Sequence, residues 1–206
     1  MEGSRGLGDV YKRQSLNNLE KIYRALKLKR QRRNSIEFNL SETRPISDKA
    51  NRILKFSKII RNEYHGVVEE CMILANICAA NFLLRRKIPT IFRFHEKPDL
   101  SKITDLKEFL SSRGFKKNMK SSNYRSSILS CLEESKKTKF EEIINLQILR
   151  SMKLAKYDSS HSDHFALALD KYCHFTSPIR RYADLVVHRG IKLSLIHISE
   201  PTRPFH

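Results

Sequence analysis

His174-Phe175-Thr176-Ser177-Pro178-Ile179-Arg180-Arg181-Tyr182-Ala183-Asp184-Leu185-Val186-Val187-His188-Arg189 decides how this chain is read. The stretch passes from an extended apolar segment into a helix and sets two arginines in its expected first turn. Thr176 or Ser177 is the expected N-cap, a hydroxyl accepting from a backbone N–H that a helix start leaves unpaired. Pro178 suits the first helical position, where a missing donor costs little. Free N–H groups, the positive end of the helix dipole and the guanidinium forks of Arg180 and Arg181 all favour an anion there. A phosphate is the natural candidate. The plainer alternative is an i,i+4 surface pair between Arg180 and Asp184.

Working outward from that stretch, the chain alternates helical and short extended patterns. Leu16, Leu19, Ile22, Tyr23, Leu26 and Leu28 give residues 15–32 an amphipathic helix with a basic opposite face. Residues 35–38 and 53–60 are strand candidates. A long helix is expected over 62–87, with Val67, Cys71, Leu74, Ala75, Cys78, Ala79 and Phe82 as its buried stripe and Pro89 enforcing its end. Residues 90–94 read as a strand, followed by a helix from Asp99 or Ser101 to Arg113 with Gly114 as its stop. A basic, serine-rich link at 116–122 precedes two helices near 124–135 and 140–155. Extended chain at 164–175 then leads into the final helix, Pro178 to about Leu193. The fold class expected is α+β, mainly helical, with helices packed against a mixed β-sheet.

The 206 residues carry 40 Lys+Arg against 22 Asp+Glu, a formal charge of +18. That excess attracts polyanions but does not separate RNA from DNA or an acidic membrane. No segment reaches the roughly 20 continuous apolar residues of a membrane span, and no secretory leader is evident, so a cytoplasmic protein without membrane partners is expected. Cys71, Cys78, Cys131 and Cys173 show no C-x-x-C or zinc-ligand spacing. They are expected to be reduced thiols, with no metal site.

Both ends look foreign: residues 1–14 and 194–206 resemble read-through of sequencing adapters, leaving 15–193 as the domain. Removing them leaves +17, because the first fourteen residues carry a net +1 and the last thirteen are neutral.

The motifs together resemble the ribonuclease II/ribonuclease R family of 3′→5′ exoribonucleases, nearer to its ribonuclease R side. His174–Arg189 is similar to the family's signature. His65-Gly66-Val67-Val68-Glu69-Glu70-Cys71-Met72-Ile73-Leu74-Ala75-Asn76 is similar to its "IEECMILAN" helix. Residues 89–98, 149–157 and 164–169 match further family stretches in order. The resemblance implies residues 15–193 to be the carboxy-terminal portion of an RNB catalytic domain, a fragment of a longer monomeric enzyme. It implies hydrolysis of single-stranded RNA to nucleoside monophosphates with Mg²⁺ held by clustered aspartates. Carboxylate oxygens suit that ion, and the ion activates water and neutralises phosphate charge. Here the aspartates stand singly, so the isolated fragment is expected to be inactive. The alternative is a non-catalytic RNA-binding protein of the same fold.

Carried onto this sequence, the resemblance makes Arg180 the catalytic candidate, stabilising charge on the scissile phosphate. Arg181 points about 100° away around the helix, toward another phosphate or a carboxylate. Ser177 belongs to the same RNA-binding start. Tyr182 either stacks on RNA or fills the core. Glu69 or Glu70 accepts from a ribose 2′-hydroxyl, or either serves the helix dipole. Arg93 and His95 alternate with Phe92 and Phe94 and so share one strand face, either RNA-lining or merely solvated. His174 either contacts RNA or is a structural histidine. The lysine runs at 116–120 and 136–139 are solvated surface with a general pull on RNA.

Overall fold

The computed structural model describes residues 7–38, 43–58, 62–115, 124–136 and 138–199. Among the described residues, six helices and four short strands run in the order α1 (Leu7–Arg32), β1 (Thr43–Ser47), β2 (Ile53–Lys58), α2 (Glu63–Arg85), β3 (Phe92–Phe94), α3 (Leu100–Ser112), α4 (Tyr124–Ser135), α5 (Glu141–Ser151), β4 (Lys156–Asp158) and α6 (Tyr182–Ser199). The class is α+β, as expected. The strands, however, form two two-stranded antiparallel ladders, β1–β2 and β3–β4, rather than one mixed sheet among the described residues.

Two apolar clusters organise the helices. In the first, Ile103, Leu106 and Leu110 of α3 meet Tyr124, Ile128, Cys131 and Leu132 of α4 and Ile144 and Ile148 of α5. In the second, Ala79, Ala80 and Leu83 of α2 meet Phe92, Cys173 and Val187. Residues 164–165 join them: Phe165 inserts into the first cluster, while the His164 ring packs edge-on to Tyr172 at 5.5 Å. All four cysteines are free thiols.

The expected strand at 35–38 is absent. Asn34 takes φ 58°, a left-handed residue that stops α1. The Ile36 N–H then donates to the Ala166 carbonyl at 2.8 Å while its side chain enters the first cluster. A tertiary partner thus replaces a ladder. Of the strand expected at 53–60, Ile53–Lys58 forms as β2, half of an exposed hairpin with Ile53, Leu54 and Phe56 uncovered, and residues 59 and 60 lie outside the described residues.

α2 begins where expected, capped by Asn62 and His65 in a reciprocal capping box. Its buried residues are Glu70, Ile73, Asn76, Ala79, Ala80 and Leu83, so of the expected stripe only Ala79 is buried and the helix turns nearly its opposite face inward. Leu74 and Cys78 face outward. The helix is apolar nearly all round, and period alone cannot choose a face. It is also long and apolar enough to cross a membrane by length and composition; here it packs against α1 and α6. Gly66 permits the α1 contact, since a Cβ there would lie 2.7 Å from the Tyr23 hydroxyl. α5 stops at Ser151, short of the expected 155, with the Ser151 hydroxyl donating to the Ile148 carbonyl at 2.6 Å. The chain then turns out so that the Lys153 carbonyl meets His95.

Candidate RNA-binding site

The signature stretch folds differently at its start from the expectation. α6 begins at Tyr182, four residues later, and residues 178–180 form a turn whose Arg180 and Arg181 N–H groups both reach the Ser177 carbonyl. The Thr176 hydroxyl is buried without a hydrogen-bond partner, so it does not cap that helix. Asp184 governs the entry instead. Its side chain is wholly buried, accepting from the Ser177 N–H at 2.7 Å and from Arg181 Nε and Nη2 at 2.8 and 2.9 Å. Burial alone would raise this carboxyl, but the Arg181 fork and the Ser177 amide outweigh it and hold it below the usual carboxylate range. Arg181, not Arg180, is therefore the partner of Asp184. Arg180 is left exposed, as are Ile179 and Tyr182.

The opposite wall is the β3–β4 ladder. Arg93 and Tyr157 are paired across it, and the Arg93 guanidinium lies 4.8 Å from the Tyr157 ring centroid. The Tyr157 hydroxyl is hydrogen-bonded to His174 Nδ1 at 2.9 Å. Burial, then Arg181, with lesser contributions from Arg93 and Arg180, pushes His174 down to about 4. Asp184 opposes that shift without reversing it. Ile91, Tyr157, Arg181, Tyr182 and Ala183 line an open cleft of about 350 Å³ beside it.

Behind the cleft the support is polar. Asn76 Nδ2 donates to the Tyr172 hydroxyl at 2.9 Å, and Asn76 Oδ1 accepts from the Phe175 N–H at 2.9 Å. The Tyr172 carbonyl accepts from the Arg93 N–H. His188 Nε2 is bonded to the Phe175 carbonyl, with the two rings stacked at 4.2 Å. These bonds tie the loop before α6 to α2 and to β3.

The other expected residues go elsewhere. Arg30 of α1 reaches Glu69 at 2.9 Å and Glu70 at 2.7 Å; Glu70 is buried and Glu69 is half-buried. Burial works against the Arg30 charge, yet the bonds to Glu70 and Glu69 raise its affinity for the proton above the ordinary value. His95 is buried, its Nδ1 accepting from the Ala166 N–H and its Nε2 facing the Lys153 carbonyl at 2.8 Å. Arg93 and His95 therefore diverge in surroundings: one borders the cleft, the other fastens two loops. The lysines at 116–120 lie outside the described residues, and Lys136 pairs with Glu133.

Among the described residues no group of three or more His, Cys, Asp or Glu side chains is arranged to hold a metal ion. The described residues therefore do not fit Mg²⁺. Sequence reasoning missed Tyr157, Asn76 and Tyr172. A signal existed for Asn76: an amide inside an apolar helix is either exposed or bonded within.

The RNB domain family matches residues 4–197. Ribonuclease R of Vibrio cholerae is 37% identical over 194 residues, covering 93% of this chain and 24% of that protein. Ribonuclease R of Escherichia coli is 39% identical over 180 residues, covering 87% of this chain and 22% of that protein. Among solved structures, Mycoplasma genitalium RNase R in complex with ribose methylated single-stranded RNA superposes with a TM-score of 0.83 at 29% identity, covering 92% of this chain and 30% of that one. This chain belongs to the RNB domain family, the exoribonuclease family its motifs resemble. It spans about a quarter of the length of the curated relatives it matches.

Proposed function

We propose that this chain is the RNA-gripping portion of a 3′→5′ exoribonuclease that removes nucleoside monophosphates from single-stranded RNA. An aromatic cleft bordered by Arg93, stacked on Tyr157, and by Arg181, held in place by Asp184, carries the reading. Arg180 is exposed and is the group assigned to the scissile phosphate, where its planar fork offsets developing charge. Arg181 is held by Asp184 and presents what remains of its fork to a neighbouring phosphate or base. Ser177 and Tyr182 flank that path. Glu69, the more accessible of the pair, is assigned the ribose hydroxyl, with Glu70 keeping Arg30 in place. Arg93 adds charge at the rim, and His95 steadies the strand that carries it.

Catalysis in this family depends on divalent metal, and the described residues offer no group to hold it. The chain alone therefore binds RNA without hydrolysing it. This also favours, as the second reading, a non-catalytic RNA-binding protein of the same fold.

The test is fluorescence anisotropy with labelled single-stranded RNA and DNA of one sequence, followed by an assay for released monophosphates with Mg²⁺ present. Salt-sensitive binding that prefers RNA is expected, without monophosphate release. Equal affinity for DNA argues against ribose recognition, and released monophosphates contradict the inactivity of the chain alone.

A further inference from the structure

We infer that the cleft between Tyr157 and Tyr182 is a nucleobase pocket, so that the site holds a base as well as a phosphate. The inference rests on the RNA reading above and deepens it. The walls are two tyrosines, and neither is consumed by the core: Tyr157 is 43% exposed and Tyr182 is 68% exposed. Core tyrosines of this protein behave differently. Tyr124 and Tyr172 are each 6% exposed. Ile91 and Ala183 supply an apolar floor, and the volume of about 350 Å³ falls in the usual range of small-molecule sites.

Tyr157 is also braced as a stacking platform needs to be. One interaction is the Arg93 guanidinium at 4.8 Å, and another is the hydroxyl bond to His174. An aromatic side chain with few free torsions and two fixed partners loses little entropy when a base settles on it. His174 is neutral under ordinary conditions, so this brace does not add a fourth cation to the cleft.

Arg181 supplies the polar edge. Its bonds to Asp184 use Nε and Nη2, and that fork leaves the Nη1 edge unused. A guanidinium only donates, so it matches base carbonyls and ring nitrogens rather than amino groups. The exposed Arg180 stands one residue away, which places phosphate and base recognition on adjacent residues of one turn. Single-stranded RNA is commonly held in this way, by cations along the backbone and aromatic faces for the bases.

The experiment scans a short single-stranded RNA with one abasic ribonucleotide moved along it, measuring affinity by anisotropy for the full chain and for Tyr157→Leu and Tyr182→Leu. Leucine keeps apolar bulk and removes the stacking face. For the unaltered chain, the abasic substitution at one position is expected to weaken binding by about tenfold, in line with the known strength of base–aromatic stacking. In either variant the intact RNA binds about tenfold more weakly and that positional penalty disappears. Circular dichroism of both variants should match the unaltered protein, because both side chains are exposed. Firm RNA binding with a flat abasic scan overturns the pocket and leaves the RNA reading standing. Failure to bind any RNA overturns both.

Discussion

The α3–α4–α5 half and the α2–β3–β4–α6 half are both built on apolar clusters, but they handle polar groups differently. In the first, the buried hydroxyls of Ser135 and Ser151 bond to carbonyls three residues back in their own helices. Its core is mainly apolar, with Ile128, Ile144 and Ile148 fully buried and Tyr124 stacked on Phe165. In the second, Asn76, Asp184 and His188 send bonds across elements to the 172–177 loop. The first half uses its interior for stability, and the second uses it to hold a loop in one shape. Buried polar groups are costly unless satisfied, so a network of this kind is rigid while it remains complete. Rigidity is what a phosphate and base site needs.

The sharpest way to break the contrast is Asp184→Ala. It strands the Ser177 amide and leaves Arg181 without its partner. Unfolding in urea should show a loss of about 3–5 kcal/mol, as for other broken buried pairs, and RNA affinity should fall with it. Preserved stability would mean the loop is not held through this carboxylate. Ile144→Ala, in the other half, should cost about 2–5 kcal/mol through the cavity it leaves. Measured where the variant is still folded, its RNA affinity should be unchanged; a parallel loss of binding would show that the halves are coupled.

Acid should act chiefly on the second half. Burial lowers His164 to about 3 and His174 to about 4, from an ordinary value near 6.5. The unfolded chain therefore takes up these protons first, and stability falls as pH drops from about 6.5 toward 4, with no contribution from them above pH 7. The urea midpoint recorded across that range checks this, and a flat profile contradicts the buried neutral rings. The smallest effect on folding should come from Arg180→Ala, within about 0.5 kcal/mol because the side chain is exposed. It should still weaken RNA binding and reduce the dependence of log affinity on log salt by about one. An unchanged salt slope would remove Arg180 from the phosphate path.

The helices were legible because their signals are local. Pro89 ending the long helix, Gly114 at φ 88° as a stop, and the apolar spacing of α3 to α5 require no knowledge of distant residues. The order of motifs was likewise enough to reach the family. What misled was each position where a remote partner outweighs a local preference. Ile36 forms no strand because Ala166 takes its amide, and α6 starts late because Asp184 draws the Ser177 amide and Arg181 to itself.

The sequence by itself determined the helical segments, the basic character and the pairing of arginines with a helix entry. These follow from side-chain chemistry within one or two turns of chain. The tertiary structure alone decided which face of α2 is buried, that Arg181 rather than Arg180 meets Asp184, and that Arg93 and Tyr157 stand across the cleft from both. The α2 face depends on Asn76 meeting Tyr172 and Phe175, 96 and 99 positions away, the cleft wall on Arg93 meeting the distant Tyr157, and the Asp184 choice on the burial of that carboxylate. Local periodicity carries no information about such partners, and burying the groups without them would cost more than the fold can sustain.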